Sequence, residues 1–78
     1  MVWPNPFHEI VYFKVLNSSS KKNYTLELYD IMGKKIYSYK NNKSDLFMLK
    51  ELDLSPGAYC YKVFDSGVLI AGGKIMSR

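Results

Sequence analysis

Few residues in this chain have types that could carry out covalent or metal chemistry. His8 is the only histidine and Cys60 the only cysteine. A Ser or Cys nucleophile wants a base beside it, usually His, but Cys60 falls within an alternating apolar stretch, far along the chain from His8. A thiol in that setting reads as a small packing residue. One His and one Cys without a carboxylate cluster at ligand spacing supply too few donors for a metal site, and a single Cys forms no internal disulfide. Glu51 and Asp53 flank a loop and read as turn residues, not as a paired acid and base. Gly33 and the Gly72-Gly73 pair lack the spacing of a phosphate-cradling loop. The residue types therefore point away from an enzyme and imply no cofactor.

A nucleic-acid partner is not indicated either. Eleven Lys and Arg against seven Asp and Glu give a net charge of +4, but no block of five like charges forms. The pairs Lys21-Lys22 and Lys34-Lys35, with Lys40 and Lys43, fall at strand ends and turns, where lysine is solvated and discourages edge-to-edge pairing. The seven Tyr and four Phe are needed to fill a small core, and no aromatic–basic motif of the RNA-recognition type is present. No apolar run approaches the roughly 20 residues that span a bilayer. Met1 is followed by Val2-Trp3-Pro4 with no apolar signal-peptide region. The expectation is a fragment excised from a longer parent, which would have to carry the inner-membrane signal elsewhere if the domain is exported.

The elements that position these residues are strands. A chain of 78 residues is one domain, 1–78. It must bury nearly every apolar strand position to offset its conformational entropy. Two prolines hold Trp3-Pro4-Asn5-Pro6-Phe7 extended. The run from Glu9 to Leu16 reads as a strand with Val11, Phe13 and Val15 on one face. Tyr24 to Tyr29 alternates, with Tyr24, Leu26 and Leu28 facing one way. Asp30-Ile31-Met32-Gly33 then reads as a hairpin with a four-residue loop or with a bulge at Gly33, before a strand from Lys34 to Tyr39. Helix from Asp30 to Tyr37 is the competing reading, opposed by the mid-pattern Gly33. A polar turn at Asn41-Asn42-Lys43-Ser44 leads to a short strand over Asp45 to Leu49. Ser55-Pro56-Gly57 has the form of a type II turn. The following strand carries Tyr59, Tyr61 and Val63 on one face, Asp65-Ser66-Gly67 is a tight hairpin, and Val68 to Met76 is the last strand. At Gly72-Gly73 a bulge or the close approach of another backbone is expected. Six or seven short strands with regular turns imply a sandwich or a small barrel.

Three stretches, in order, resemble the type A C-terminal sorting domain of the type IX secretion system. Trp3-Pro4-Asn5-Pro6-Phe7 is similar to that family's aromatic-Pro-Asn-Pro-Phe opening. Leu26-Glu27-Leu28-Tyr29-Asp30-Ile31-Met32-Gly33-Lys34-Lys35-Ile36 is similar to its apolar alternation, Tyr-Asp, two apolar residues, Gly, a basic and an apolar residue. Leu54-Ser55-Pro56-Gly57-Ala58-Tyr59-Cys60-Tyr61-Lys62-Val63 and the closing Gly72-Gly73-Lys74-Ile75-Met76-Ser77-Arg78 resemble its Gly-apolar-Tyr-x-Tyr strand and basic tail. Lys50 or Glu51 stands where the family often has Asp.

The resemblance implies an all-β fold, a small immunoglobulin-like antiparallel β-sandwich of about seven strands. It also implies a non-catalytic signal that follows a covalently attached cargo domain through the periplasm to a type IX translocon. Sortase-like processing proteins would then remove it, often attaching the cargo to the cell surface. Carried over, the candidate signal residues are Pro4, Asn5, Pro6, Gly33, Lys34, Gly57, Tyr59, Gly73, Lys74 and Arg78. Lys74 and Arg78 suit an acidic receptor surface. A second reading is an extracellular β-sandwich accessory module that binds carbohydrate or protein, with Tyr12, Tyr29, Tyr37 and Tyr39 as a stacking platform.

Overall fold

The structure, a computed structural model, describes residues 2–4, 10–15, 23–41, 43–50 and 54–78. Alternating apolar stretches with β-branched and aromatic residues become seven strands. They are β1 (Val2–Trp3), β2 (Ile10–Lys14), β3 (Tyr24–Tyr29), β4 (Lys35–Asn41), β5 (Leu46–Lys50), β6 (Gly57–Asp65) and β7 (Val68–Ser77). They form two antiparallel sheets, β1-β2-β5 and β4-β3-β6-β7. The first, second and fifth strands thus face a sheet made by the others, which is the immunoglobulin-like sandwich. Among the described residues there is no helix, so Asp30 to Tyr37 is turn and strand, not helix.

Each sheet gives its inward residues to one core. Val11, Phe13, Val15, Phe47 and Leu49 come from one layer and its flank. Tyr24, Leu26, Leu28, Tyr59, Val63 and Ile75 come from the other. Burying each of these large apolar side chains favours folding by roughly 1.5–3 kcal/mol before the entropy of ordering is set against it. The Phe13 and Tyr61 rings meet edge to face at 5.0 Å. Lys14 reaches Asp45 at 3.0 Å, and the Val15 amide donates to the Asp45 carbonyl, so the β2–β5 pairing continues past the strand end.

The turns follow their local chemistry. Asp30 and Lys34 close the β3–β4 hairpin, and Gly33 follows the turn at φ +86°. Of the two expected hairpins, the one with the bulge at Gly33 is present. A second register shift opposite Leu28 and Tyr29 leaves Ile36 as the extra residue on β4. Ser66 and Gly67 both have positive φ, +51° and +85°, so β6 and β7 join through a two-residue type I′ turn.

One turn expectation is corrected. Gly57 has φ +146° and already pairs with Ser77 as the first residue of β6, which departs from the roughly +80° of a type II turn. The Ser55 carbonyl accepts the Tyr59 hydroxyl at 2.6 Å. Of the bulge or close backbone approach expected at Gly72-Gly73, the close approach is present, with the Tyr61 carbonyl oxygen 3.3 Å from where a Gly72 Cβ would sit, and strand β7 runs unbroken through the pair. Its register shift lies earlier, between the partners of Val63 and Phe64, where Ile70 is the extra residue.

Candidate functional site

Pairing brings most of the sequence-derived candidates to one end of the four-stranded sheet. Tyr29 is opposite Cys60, Cys60 is opposite Lys74, and Gly57 is opposite Ser77. The β3–β4 tip with Gly33 and Lys34, the start of β6 with Gly57 and Tyr59, and the end of β7 with Lys74 and Arg78 therefore share that end. Pro4 lies on the other sheet, exposed, just after β1 and a cis Trp3–Pro4 peptide bond. Asn5, Pro6, Phe7 and His8 fall outside the described residues, as do Glu51 and Asp53.

The candidates at this end divide by what they touch. Tyr59 is buried, and its hydroxyl donates to the Ser55 carbonyl four residues upstream. This resembles the tyrosine corner of immunoglobulin-type sandwiches and ties the incoming loop to β6. Gly73 lies beneath the Tyr61 ring: a Cβ there would meet Tyr61 Oη at 2.8 Å and Cε1 at 2.9 Å. The close neighbour at Gly73 is thus a side chain, while at Gly72 it is the Tyr61 backbone carbonyl, at 3.3 Å. Lys34, Lys74 and Arg78 are exposed at this end.

The tip itself is firmly built. Asp30 Oδ1 accepts the backbone amides of Met32 and Lys34, each at 2.9 Å. The Gly33 amide donates to the Asp30 carbonyl at 3.0 Å, and the Asp30 amide to the Lys34 carbonyl at 2.9 Å. Ile31 and Met32 are carried outward on this scaffold and are 79% and 87% exposed. Neither was singled out from sequence. The signal was there in two large apolar residues at central turn positions, where Asp, Asn, Ser, Pro or Gly is usual.

Behind the tip, the outer face of the sheet carries a polar cluster. The Tyr29 hydroxyl donates to Glu27 Oε1, Lys35 Nζ reaches Glu27 Oε2 at 2.9 Å, and Lys62 Nζ lies 5.0 Å from the centre of the Tyr29 ring. The hydrogen bond from Tyr29, then that from Lys35, holds the Glu27 carboxyl below the usual carboxylate range. The same contacts with Glu27 raise the Tyr29 phenol and the Lys35 ammonium above theirs. This is an ion-paired surface that steadies the strands leading to the tip.

The four tyrosines of the stacking platform do not meet on one surface. Tyr12 stacks on Trp3 at 5.3 Å on the three-stranded sheet. Tyr29 is on the outer face of the other sheet, with Lys62 above it. Tyr37 and Tyr39 stack on each other at 5.7 Å, opposite Leu28 and Leu26 and packed against the core. Loss of hydration there raises the Tyr39 phenol above its ordinary range.

Among the described residues, no three of His, Cys, Asp and Glu gather as metal donors, and no helix is long and apolar enough to cross a membrane. The comparison with family models matches residues 1–76 to a family described as the secretion system C-terminal sorting domain. No curated protein matches the chain.

Proposed function

The chain belongs to the type IX secretion C-terminal sorting domains, and from that premise we propose that residues 1–78 act as one folded address label for a preceding cargo. As a member of that family it is a sorting signal of a secreted or cell-surface parent protein. In our reading the label folds in the periplasm, is recognised by the type IX translocon and escorts the cargo through the outer membrane. A sortase-like peptidase then removes it, and the cargo is released or joined to the cell surface. The domain itself catalyses nothing and needs no cofactor.

The observation that carries this reading is the family match over residues 1–76. The geometry supports it at residue level. Gly33, Gly57, Tyr59 and Gly73 set turns and packing at one end of the sheet, and Lys34, Lys74 and Arg78 are exposed there. A charged, structured end of this kind suits electrostatic recognition by an acidic surface. Pro4, Asn5 and Pro6 would mark where the cargo hands over to the label.

The test fuses the 78 residues to the C-terminus of a fluorescent protein that carries an inner-membrane export signal. The fusion is expressed in a bacterium with the type IX machinery and in the same strain with the translocon disabled. Fluorescence in the medium or on the surface of the first strain alone is the expected result. Periplasmic retention of a folded fusion in both strains would refute the proposal.

A further inference from the structure

The β3–β4 tip carries the two most exposed large apolar side chains among the described residues, Ile31 and Met32, at 79% and 87%. An isolated exposed Leu or Ile needs no explanation. Here, two adjacent ones sit at the centre of a turn that four hydrogen bonds from or to Asp30, Met32, Gly33 and Lys34 hold in one shape. A turn already held in one shape spares the backbone's share of the ordering cost when its side chains are captured, which favours an anchor.

Three occupants fit an apolar, basic tip. A second copy of this chain does so poorly. Among the described residues, Glu27 is bonded to Lys35 and Tyr29, Asp30 caps the tip, Asp45 holds Lys14, and Asp65 pairs with the Ser66 hydroxyl. Each already has a partner within its own domain, so Lys34 of a neighbour would have to compete for it. A lipid surface is also a poor match. A whole myristoyl chain gives only marginal binding, with an association constant of about 10⁴ M⁻¹, and two short side chains with a few cations bring less. A protein pocket suits better: it can enclose both side chains fully, and an acidic rim answers Lys34 beside the tip. Arg78 is at the same end of the sheet, two strands from β3, or roughly 10 Å at ordinary strand spacing.

We propose that Ile31 and Met32 form the anchor by which the folded domain docks into an apolar, acid-rimmed pocket of a protein component of its export route. This rests on the sorting reading above and names its point of contact. Lys34 and Arg78 set the orientation at the rim, and Asp30 and Gly33 hold the anchor out.

The test uses the same fluorescent fusion in three forms: wild type, Ile31→Ser/Met32→Ser, and the control Val68→Thr/Leu69→Thr. The control residues are exposed and apolar, at the opposite end of the same sheet. All three are checked for folding by circular dichroism and thermal melting. The expected result is normal export of wild type and control. The tip variant stays folded in the periplasm with export reduced about tenfold or more, as for loss of a buried anchor. Export of the tip variant at the wild-type level would overturn the proposal. Failure of the wild type to export would instead overturn the sorting reading, and the docking role with it. Sedimentation of the wild-type domain, but not the tip variant, with phosphatidylglycerol-containing vesicles would assign the tip to lipid and overturn the protein pocket.

Discussion

At the scale of single residues, the contact between Gly73 and Tyr61 shows how a candidate signal position can be held by packing. Tyr61 lies across the bare backbone of β7 at Gly73, and its ring packs edge to face with Phe13 of the opposite sheet, the ring centres 5.0 Å apart. A methyl group at position 73 would sit 2.8–3.0 Å from Tyr61 Oη, Cε1 and Cζ. The ring would have to shift against Phe13 to make room. Gly73→Ala is therefore expected to lower stability by about 1–3 kcal/mol, the usual cost of overpacking, as measured by urea unfolding. In a Tyr61→Ala background the same substitution should cost little, because the clashing ring is gone. A double-mutant cycle reads that coupling directly. Equal stability of Gly73→Ala and wild type would show that the ring moves freely, and would return Gly73 to the list of recognition positions.

At the scale of elements, the β6–β7 hairpin carries an improvable turn. A type I′ turn needs positive φ at both central residues, and Ser66 takes φ +51° although Asn tolerates that region better. Ser66→Asn should stabilise the domain by about 0.5 kcal/mol, raising the melting temperature by roughly 2–4 °C for a domain of this size. A thermal melt checks it, and a fall in melting temperature would mean that the bond between the Ser66 amide and the Asn23 carbonyl had been disturbed. The strands themselves were legible in the sequence, because period-two alternation such as Tyr24, Leu26, Leu28 can bury only one face of a strand. The register shifts within β4 and β7 were not. Ile36 and Ile70 are extra residues only relative to a partner strand, and that register is absent from their own pattern. At the tip, the turn at Gly33 was legible because Asp-x-x-Gly is turn chemistry, whereas Lys34 became a candidate through the family resemblance alone. Ile31 and Met32 carried a signal in their place at the centre of that turn, but an apolar pair also reads as core until a structure shows it pointing outward.

At the scale of the whole molecule, the tail combines a structural and a presentational part on alternate residues of one strand. Ile75 and Ser77 are buried, while Lys74, Met76 and Arg78 are exposed. Residues 73–77 also pair with Gly57 to Tyr61, the stretch that carries the Tyr59 bond to Ser55. Removing Gly73 to Arg78 would take Ile75 from the core and uncover Tyr59 together. A domain this small has only a few kcal/mol in reserve, so the truncated chain should fail to fold cooperatively and export should be lost with it. Lys74→Ala/Arg78→Ala leaves the core intact. Exposed substitutions of that kind usually change stability by about 0.5 kcal/mol or less, so its melt should stay close to wild type. If the two cations meet an acidic receptor, export of a fluorescent fusion should nevertheless fall. It should fall further as ionic strength rises, since screening shortens the reach of the remaining charges. Export of the double variant at the wild-type level would show that the tail acts through the fold alone, leaving the hairpin tip as the recognition element at that end of the sheet.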